Sequence, residues 1–441
     1  MTGISFCIAT AKNEKDYTFS LLKSLEDNTK LDNHEIVIFI DSDNQKTYEA
    51  LLKYQKEKNN VLIHKNKTGF PIGSQRNVSI MFDKATKDVV IYLQSDMVVC
   101  PDFDKHFLKA LDNNKNRVIS AARIEPPLHP ASPEKIVKDF GLNPTDFKYE
   151  EFCKFTKDLQ KEKRPLMDGH FAPFGSFKSA YFDVMGGFDT QFRCSREDSD
   201  FIIRLKSRGI ETLQTWDASV YHYTCVSSRG TDWYKQDAQA EIKNQWQTYA
   251  DKEELKRFIR KWGYFGHEYR PKYLINLFVD INTAPNLELL STIEPYFNKI
   301  IINDEAVKDT LTNLSDFDSY YYANKRWGYT QEHWKEIRSK FMGPYFKDRI
   351  TFSSTPPTDS DVIVKTDMYS LIKGYQEKSN QDFITNSNAI LDNLKKSTPN
   401  NYNGTYEIGG FKIKINNLVD LNLNHLDNKQ YLFDTKEYTF E

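Results

Sequence analysis

The chain has 441 residues, a length that corresponds to two or three domains. Its 60 Lys and Arg residues nearly balance its 62 Asp and Glu residues, and the formal net charge of −2 is unfavourable for broad nucleic-acid binding. A hydrophobic content of 39% excludes a disordered chain. A mean hydropathy of −0.65, without an apolar run of about 20 residues, predicts no transmembrane segment.

The N-terminus and the cysteines indicate the compartment. Charged residues follow the first apolar run too early for a signal peptide. The five cysteines are scattered, and none has the spacing of zinc ligands. We therefore expect a cytoplasmic protein with reduced thiols, which could lie peripherally on a membrane and could form a homo-oligomer.

Residues 1–110 alternate between strand and helix signals. Short apolar runs predict strands at residues 4–9, 35–40, 61–64 and 88–93. The apolar residues within 17–25 and within 47–58 have helical spacing, and each segment lies between two of these strands. Continuous apolar strands separated by helices predict a parallel sheet that is covered on both faces. Ligands bind such sheets at the carboxyl ends of the strands, so the residues that follow each strand are the first candidates for a site.

The rest of the chain divides into a less regular part and a second alternating part. Between residues 115 and 225 we predict a strand at 118–123, a proline-rich loop at 126–133, a helix at 199–207, and a loop and strand at 212–223. The alternation restarts with a strand at 273–281, a helix at 287–296 and a strand at 299–302, followed by a helix at 331–341 and a strand at 361–365. The predicted domains are 1–230, a helical linker at 231–270, and an α/β domain at 271–441.

Acidic residues begin one of the predicted helices. The segment Gly186-Gly-Phe-Asp189 is followed by Ser195-Arg-Glu-Asp-Ser, so Glu197 and Asp198 lie in the first turn. Acids at this position stabilise a helix dipole, which is the structural interpretation. A carboxylate there could also take a proton from an attacking hydroxyl group. The local sequence leaves both interpretations open.

Other polar groups follow the predicted strands. Gln94, Ser95 and Asp96 come directly after the strand at 88–93, and Asp41 and Asp43 follow the strand at 35–40. A carboxylate at a strand end could hold Mg²⁺ or Mn²⁺, although Ser-Asp pairs also form ordinary turns. Gly73 precedes a predicted helix that carries Arg76, an arrangement that could bind a diphosphate.

Taken in order, these segments resemble an inverting family-2 type glycosyltransferase with the GT-A (nucleotide-diphosphosugar transferase) fold. The matching elements are SFCIATAKNE, IFIDSD, GSQRN, IYLQSDMVVCPDF, GGFD and REDSDFIIRLKSRG, within residues 1–225. The resemblance implies a Rossmann-like mixed sheet flanked by helices, followed here by a second, smaller α/β domain.

The resemblance also implies roles for individual residues. Asp198 corresponds to the general base, and Glu197 to a residue that contacts a sugar. The metal ligands for Mn²⁺ or Mg²⁺ would be Asp96 and His222, although Gln94 replaces the first acid of the usual D-x-D motif. The implied nucleotide-sugar-binding residues are Thr10, Glu14, Asp41, Asp43, Arg76, Gln94, Ser95 and His170.

The implied reaction moves a sugar from a nucleotide-diphosphosugar, with a UDP-sugar favoured, to a hydroxyl group of a glycan, glycoprotein or glycolipid. The alternative is a non-catalytic protein that binds carbohydrate or nucleotide-sugar, which Gln94 favours and the acidic pair Glu197-Asp198 opposes. The C-terminal half is open between a second active transferase, a degenerate copy, an acceptor-binding module and an oligomerisation domain. Its strand-then-acid segment ends at Asp367.

Overall fold

The structure of the protein is a computed structural model that describes most of the chain in two units. The described residues are 3–10, 14–41, 45–67, 74–169, 172–180, 188–189, 192, 196–224, 254–304, 350–356, 358 and 360–422. Packing assigns those between 3 and 224 to one unit and those between 254 and 422 to another. In these ranges, every helix is too short or too polar to span a bilayer.

The first unit is an α/β structure whose elements mostly begin and end close to the predicted bounds. Its strands are β1 (Ile4–Thr10), β2 (Glu35–Ile40), β3 (Val61–Lys65), β4 (Val89–Gln94), β5 (Met97–Val99), β6 (Arg117–Glu125), β7 (Lys135–Val137), β8 (Met167–Asp168), β9 (Phe174–Phe177) and β10 (Glu211–His222). Its helices are α1 (Lys15–Asn28), α2 (Gln45–Glu57), α3 (Ser74–Lys84), α4 (Phe103–Leu111), α5 (Tyr149–Lys161) and α6 (Glu197–Ser207).

These strands form one mixed sheet in the order β3-β2-β1-β4-β9-β6-β10-β5, with β7 beside β6 and β8 beside β10. Strands β1 to β4 are parallel, and β9 runs antiparallel between β4 and β6. The mixed α/β fold class is therefore confirmed. Alternate residues of β1 pack into different cores, because Phe6 belongs to one buried cluster and Cys7 to another. This two-sided burial explains why the strands are continuous apolar runs.

Strand β10 is longer than the sequence predicts. The segment predicted as a loop followed by a strand is one continuous strand with a bulge in it. Thr215 pairs with Ala121 of β6, whereas Val220 pairs with Arg123. Five steps along β10 are therefore matched by two steps along β6. The shift brings the end of β10 level with the end of β6.

The second unit contains a smaller mixed sheet. Its strands are β11 (Ile275–Asp280), β12 (Lys299–Ile302), β13 (Ile350–Phe352), β14 (Val362–Asp367), β15 (Gly404–Ile408) and β16 (Phe411–Ile415). Its helices are α7 (Leu255–Trp262), α8 (Leu287–Ile293), α9 (Met368–Gln376) and α10 (Gln381–Ser397). The sheet order is β13-β12-β11-β14-β16-β15, which confirms the predicted second α/β unit.

The second sheet repeats the central topology of the first. In the first sheet β1 lies between β2 and β4, and in the second sheet β11 lies between β12 and β14. Strands β1 to β4 are parallel to one another, and so are β11 to β14. An antiparallel strand follows in each sheet, with β9 beside β4 and β16 beside β14. The register is also the same, since Ile4 pairs with Val89 and Ile275 pairs with Val362, each at the start of its strand. The repetition indicates that the second unit has the core of the same fold with different surroundings.

We predict that Gly175 is required for the middle of the first sheet. A Cβ atom at Gly175 of β9 would lie 2.5 Å from the carbonyl oxygen of Val90 and 2.7 Å from a side-chain carbon of Ile91. The Gly175→Ala variant should therefore lose roughly 1–3 kcal/mol of the free energy of unfolding, measured by urea denaturation.

The matched control is Gly266→Ala, whose new Cβ atom would meet only ring carbons of Tyr264 at 3.4 Å or more. This variant should change the free energy of unfolding by no more than about 0.5 kcal/mol. Equal effects of the two substitutions would contradict the explanation from the close approach of β9 and β4.

Candidate active site

The parallel strands of the first sheet bring several predicted site residues to one edge. Thr10 is the last residue of β1, and Asp41 is the first residue after β2. They are joined by a 3.0 Å hydrogen bond from the Asp41 N–H to the Thr10 carbonyl oxygen. The Asp41 carboxyl accepts a 3.2 Å hydrogen bond from the side chain of Asn66, which follows β3. Thr10 makes its 2.9 Å side-chain hydrogen bond with Thr18 of α1.

Glu14 and Ser95 connect the ends of β1 and β4. The Ser95 hydroxyl donates a 2.6 Å hydrogen bond to Oε2 of Glu14, and both side chains are buried. Glu14 lies immediately before α1, and its carbonyl oxygen accepts the Thr18 N–H at 2.8 Å. Gln94 is the half-buried last residue of β4. The turn after β4 is thereby attached to the first helix.

Asp96 and His222 are brought together by an antiparallel strand pair. His222, at the end of β10, pairs with Met97 of β5, and the Tyr223 N–H donates to the Asp96 carbonyl oxygen at 3.0 Å. As a result, Nε2 of His222 lies 3.5 Å from Oδ2 of Asp96. The two residues are 126 positions apart in number, and only the sheet makes them neighbours.

Glu125 contacts the other side of His222. It is the last residue of β6, is 2% exposed, and its Oε1 lies 2.9 Å from Nδ1 of His222. Lys135 of β7 donates to Oε2 of Glu125 at 2.7 Å, and Arg123 lies 3.4 Å from Oε1. His222 is therefore held between two carboxyl groups.

The charges around His222 shift the pKa values of this group. Burial lowers the pKa of His222, but Asp96 and Glu125 outweigh it and raise the pKa to about 9. Burial raises the pKa of Glu125, but the hydrogen bond and charge of His222, followed by Arg123 and Lys135, hold it well below the usual range. The Glu125 carboxylate is thus ionised, and together with Asp96 it favours a proton on the His222 ring.

The Asp96 and His222 side chains fit a divalent cation as a pair. Neighbouring ligands at about 2.1 Å from an octahedral cation lie about 3 Å apart, close to the 3.5 Å observed. Carboxylate oxygen and imidazole nitrogen suit Mn²⁺, and oxygen suits Mg²⁺. Within the described ranges, no three His, Cys, Asp or Glu side chains form a metal-holding group. Substrate phosphate and water would have to supply the remaining ligands.

The predicted acidic pair lies at the start of α6. Glu197 is the first helical residue, and Oδ1 of Asp198 accepts the Ser199 N–H at 2.7 Å. Three rings in contact fix the helix to the sheet: the Phe201 ring of α6 stacks on Phe188 at 4.6 Å and lies tilted against Phe174 of β9 at 5.2 Å, between ring centres. Aromatic contacts of this kind position the first turn of α6.

Tyr92 of β4 lies where the acidic side chains converge. Its ring centre is 5.8 Å from that of Phe174, so it continues the aromatic stack toward β4. Burial and four surrounding carboxyl groups raise the pKa of Tyr92. These carboxyl groups belong to Glu197, Asp96, Glu14 and Asp198. The carboxyl groups that raise this pKa thus come from segments that follow β1 and β4 and from the first turn of α6.

Some predicted features lie outside the description. Asp43, His170 and the predicted helix at 331–341 are not among the described residues. Arg76 is in α3, but its side chain is not described.

Glu125 and Tyr92 were missed by the sequence reasoning. The signal for Glu125 was its position at the end of a strand, the same rule that selected Asp96. Tyr92 had no signal, because an aromatic residue inside an apolar strand is typical of a core.

In the second unit, the acid that ends the strand-then-acid segment caps a helix. Asp367 occupies the strand position that corresponds to Gln94, and it accepts the Ser370 N–H at 2.9 Å before α9. Its other oxygen accepts the Ser370 hydroxyl at 2.7 Å. This is the geometry of an N-cap.

Comparison with protein families matches residues 6–181 to the family described as Glycosyl transferase family 2. The match covers Glu14, Asp96 and Glu125, whereas Asp198 and His222 lie beyond it. The first unit is thus similar to family 2 glycosyltransferases, and this similarity supports a nucleotide-sugar glycosyltransferase. The matched segment is less than half of the chain.

Solved structures resemble the chain at low identity. One is the crystal structure of GalNAc-T7 with UDP, GalNAc and Mn²⁺, with 17% identity, a TM-score of 0.38, and coverage of 59% of this chain and 54% of that chain. The chain therefore spans about half the length of GalNAc-T7 as crystallised. Another is S. aureus TarS 1–349 in complex with UDP, with 14% identity, a TM-score of 0.40, and coverage of 77% and 92%. A search of curated proteins finds no match.

We predict that the Ser95 hydroxyl stabilises the edge of the site. The Ser95→Ala variant removes a buried hydrogen bond to the Glu14 carboxyl group and should lose about 1.5–3 kcal/mol of the free energy of unfolding. Ser132→Ala is the matched control, because Ser132 makes a similar 2.8 Å bond to Glu134 on a half-buried loop. Urea denaturation measures both variants, and an equal loss would contradict a special role for the buried bond.

Proposed function

We propose that the protein is a metal-dependent, inverting glycosyltransferase that moves a sugar from a nucleotide-diphosphosugar to an acceptor hydroxyl group. The observation that carries the proposal is the placement of Glu14, Asp41 and Asp96 at the ligand-binding edge of the sheet, with Nε2 of His222 3.5 Å from Oδ2 of Asp96. The family 2 match over residues 6–181 supports the same activity. We assign the chemistry to the domain at 1–230.

In the proposed reaction Asp198 is the general base. Oδ1 of Asp198 is held by the Ser199 N–H, which fixes the carboxyl group at the start of α6. The acceptor O–H bond breaks as its proton moves to Asp198, and the acceptor oxygen forms a bond to the anomeric carbon. The bond from that carbon to the diphosphate oxygen breaks with its electron pair on the leaving diphosphate. A single displacement inverts the sugar configuration.

The same residues explain why a cation would be needed. The acids at this edge repel a diphosphate, so a donor binds well only if positive charge separates them. Asp96 and Nε2 of His222 would hold Mn²⁺ or Mg²⁺, which would stabilise the charge that develops on the departing diphosphate. Asp41 and Glu14 would face the nucleotide, with Asp41 held by Asn66.

The donor and the acceptor complete the proposal. We infer a UDP-sugar as the first donor to test and a glycan, glycoprotein or glycolipid as the acceptor. The helix-capping role of Asp367 opposes a second transferase site in the domain at 271–441. A second transferase site there would leave that helix without its cap.

The function is tested by incubating the full chain with Mn²⁺, UDP-, GDP- and dTDP-sugars, and a panel of glycan acceptors. We predict nucleotide release with one donor class, and a loss of roughly 10²–10⁴-fold in kcat for Asp198→Asn, because the amide cannot accept the proton. Donor binding, measured by calorimetry, should change little.

The matched control is Asp158→Asn, an acid-to-amide change on the exposed surface of α5, which should leave kcat unchanged. Donor binding without nucleotide release for any donor would instead favour the non-catalytic binding protein. Near wild-type turnover of Asp198→Asn would exclude this residue as the base.

We further predict that Asp96→Ala weakens Mn²⁺ and donor binding together. The variant removes a proposed direct ligand, so the loss of Mn²⁺ affinity should exceed the roughly 10–100-fold effect typical of indirect contacts. Isothermal titration with Mn²⁺, and with donor in the presence of Mn²⁺, measures both. Unchanged Mn²⁺ affinity would remove Asp96 from the ligand set.

A further inference from the structure

We propose that Glu125 is a positioning residue that orients His222 so that its Nε2 atom faces Asp96 and binds the divalent cation. The inference rests on the proposed metal site and adds a residue that the family resemblance did not supply. Glu125 would not touch the cation or the sugar. It would act through the imidazole ring.

The two ring nitrogens of His222 have different partners. Nδ1 lies 2.9 Å from Oε1 of Glu125, and Nε2 lies 3.5 Å from Oδ2 of Asp96. The shorter contact is a hydrogen bond, whereas the longer one leaves room for a cation between ligands. A proton held on Nδ1 by Glu125 leaves the Nε2 lone pair for the metal.

Glu125 is itself held in place by charge. Lys135 donates to Oε2 at 2.7 Å, and Arg123 lies 3.4 Å from Oε1. The Lys138 N–H donates to the Glu125 carbonyl oxygen at 2.9 Å, which fixes the backbone. A chain of contacts therefore runs from Lys135 through Glu125 and His222 to Asp96.

A purely structural role explains this arrangement less well. The backbones of β6 and β10 already pair up to Ile124 and Tyr221, so Glu125 is not required to join the strands. A buried carboxylate stabilises a fold little better than apolar residues do, even when it is paired. Its contact with the imidazole of a proposed ligand gives it a function.

The register of β10 supports the same conclusion. Without the bulge before Val220, the pairing of Thr215 with Ala121 would continue and put Val220 opposite Pro126, beyond the end of β6. The bulge instead brings His222 level with Glu125. Bulges next to active sites often direct a side chain in this way.

The test measures Mn²⁺ binding by the full chain, with Mn²⁺ alone as the probe. Electron paramagnetic resonance gives the affinity from free Mn²⁺, and electron spin echo modulation detects a nitrogen bonded to the bound ion. Wild-type protein should show that nitrogen. Glu125→Leu should bind Mn²⁺ about 10–100-fold more weakly and lose the nitrogen signal, because the ring is no longer oriented.

Glu125→Gln provides a conservative comparison. Its amide oxygen can still accept the Nδ1 proton, so the nitrogen signal should persist, with Mn²⁺ affinity about threefold or more below wild type. This variant decides the question if Glu125→Leu does not fold. His222→Ala removes the imidazole and provides the reference spectrum without the nitrogen signal. Glu134→Gln, on the half-buried loop, is the matched control, and its Mn²⁺ affinity and nitrogen signal should equal those of wild type.

The outcomes separate the two proposals. Absence of the nitrogen signal in wild-type protein would overturn the metal site itself, and the inference about Glu125 with it. A wild-type signal that stays unchanged in Glu125→Leu, with unchanged affinity, would overturn only the positioning role. If Glu125→Leu does not fold and Glu125→Gln does, an unchanged Mn²⁺ affinity of Glu125→Gln would overturn the positioning role of Glu125.

Discussion

His222 lies between two carboxyl groups because β10 pairs with β6 on one side and with β5 on the other. The pairing with β5 brings His222 to Asp96, and the pairing with β6, after a bulge, brings it to Glu125. Neither neighbour is close to His222 in the sequence. If either strand shifted by one residue, the side chains would turn to the opposite face, and the three groups would separate.

Buried acids set the second constraint. Burying a carboxylate costs several kcal/mol unless a hydrogen bond or a charge compensates it. The structure compensates two of them locally: Ser95 donates to Glu14, and Lys135 and His222 contact Glu125. The chain is almost neutral as a whole, yet this edge of the sheet is acidic. A site of that charge suits a cation and an anionic donor together.

The second unit shows how little of a site depends on topology alone. It has the strand order and the register of the first sheet, and even a similar polar contact: Lys87 N–H donates to Ser5, and Asn276 donates to Ser360, at matching positions. At the strand end, however, Asp367 caps a helix. The two edges differ because function depends on the side chains and loops that a sheet carries.

The sequence determined the elements whose pattern is local. The strands Glu35–Ile40 and Lys299–Ile302 match their predicted bounds residue for residue, because their apolar runs are buried on both sides. The rule that ligands bind at strand ends selected Thr10, Asp41 and Asp96, because the end of a strand can also be recognised from the local sequence. Only the tertiary structure decided what surrounds them: the antiparallel insertion of β9, the bulge in β10, and the contacts of Glu125 and Tyr92. These depend on pairing between distant segments, and the pattern of one segment indicates which face is buried but does not identify its partner.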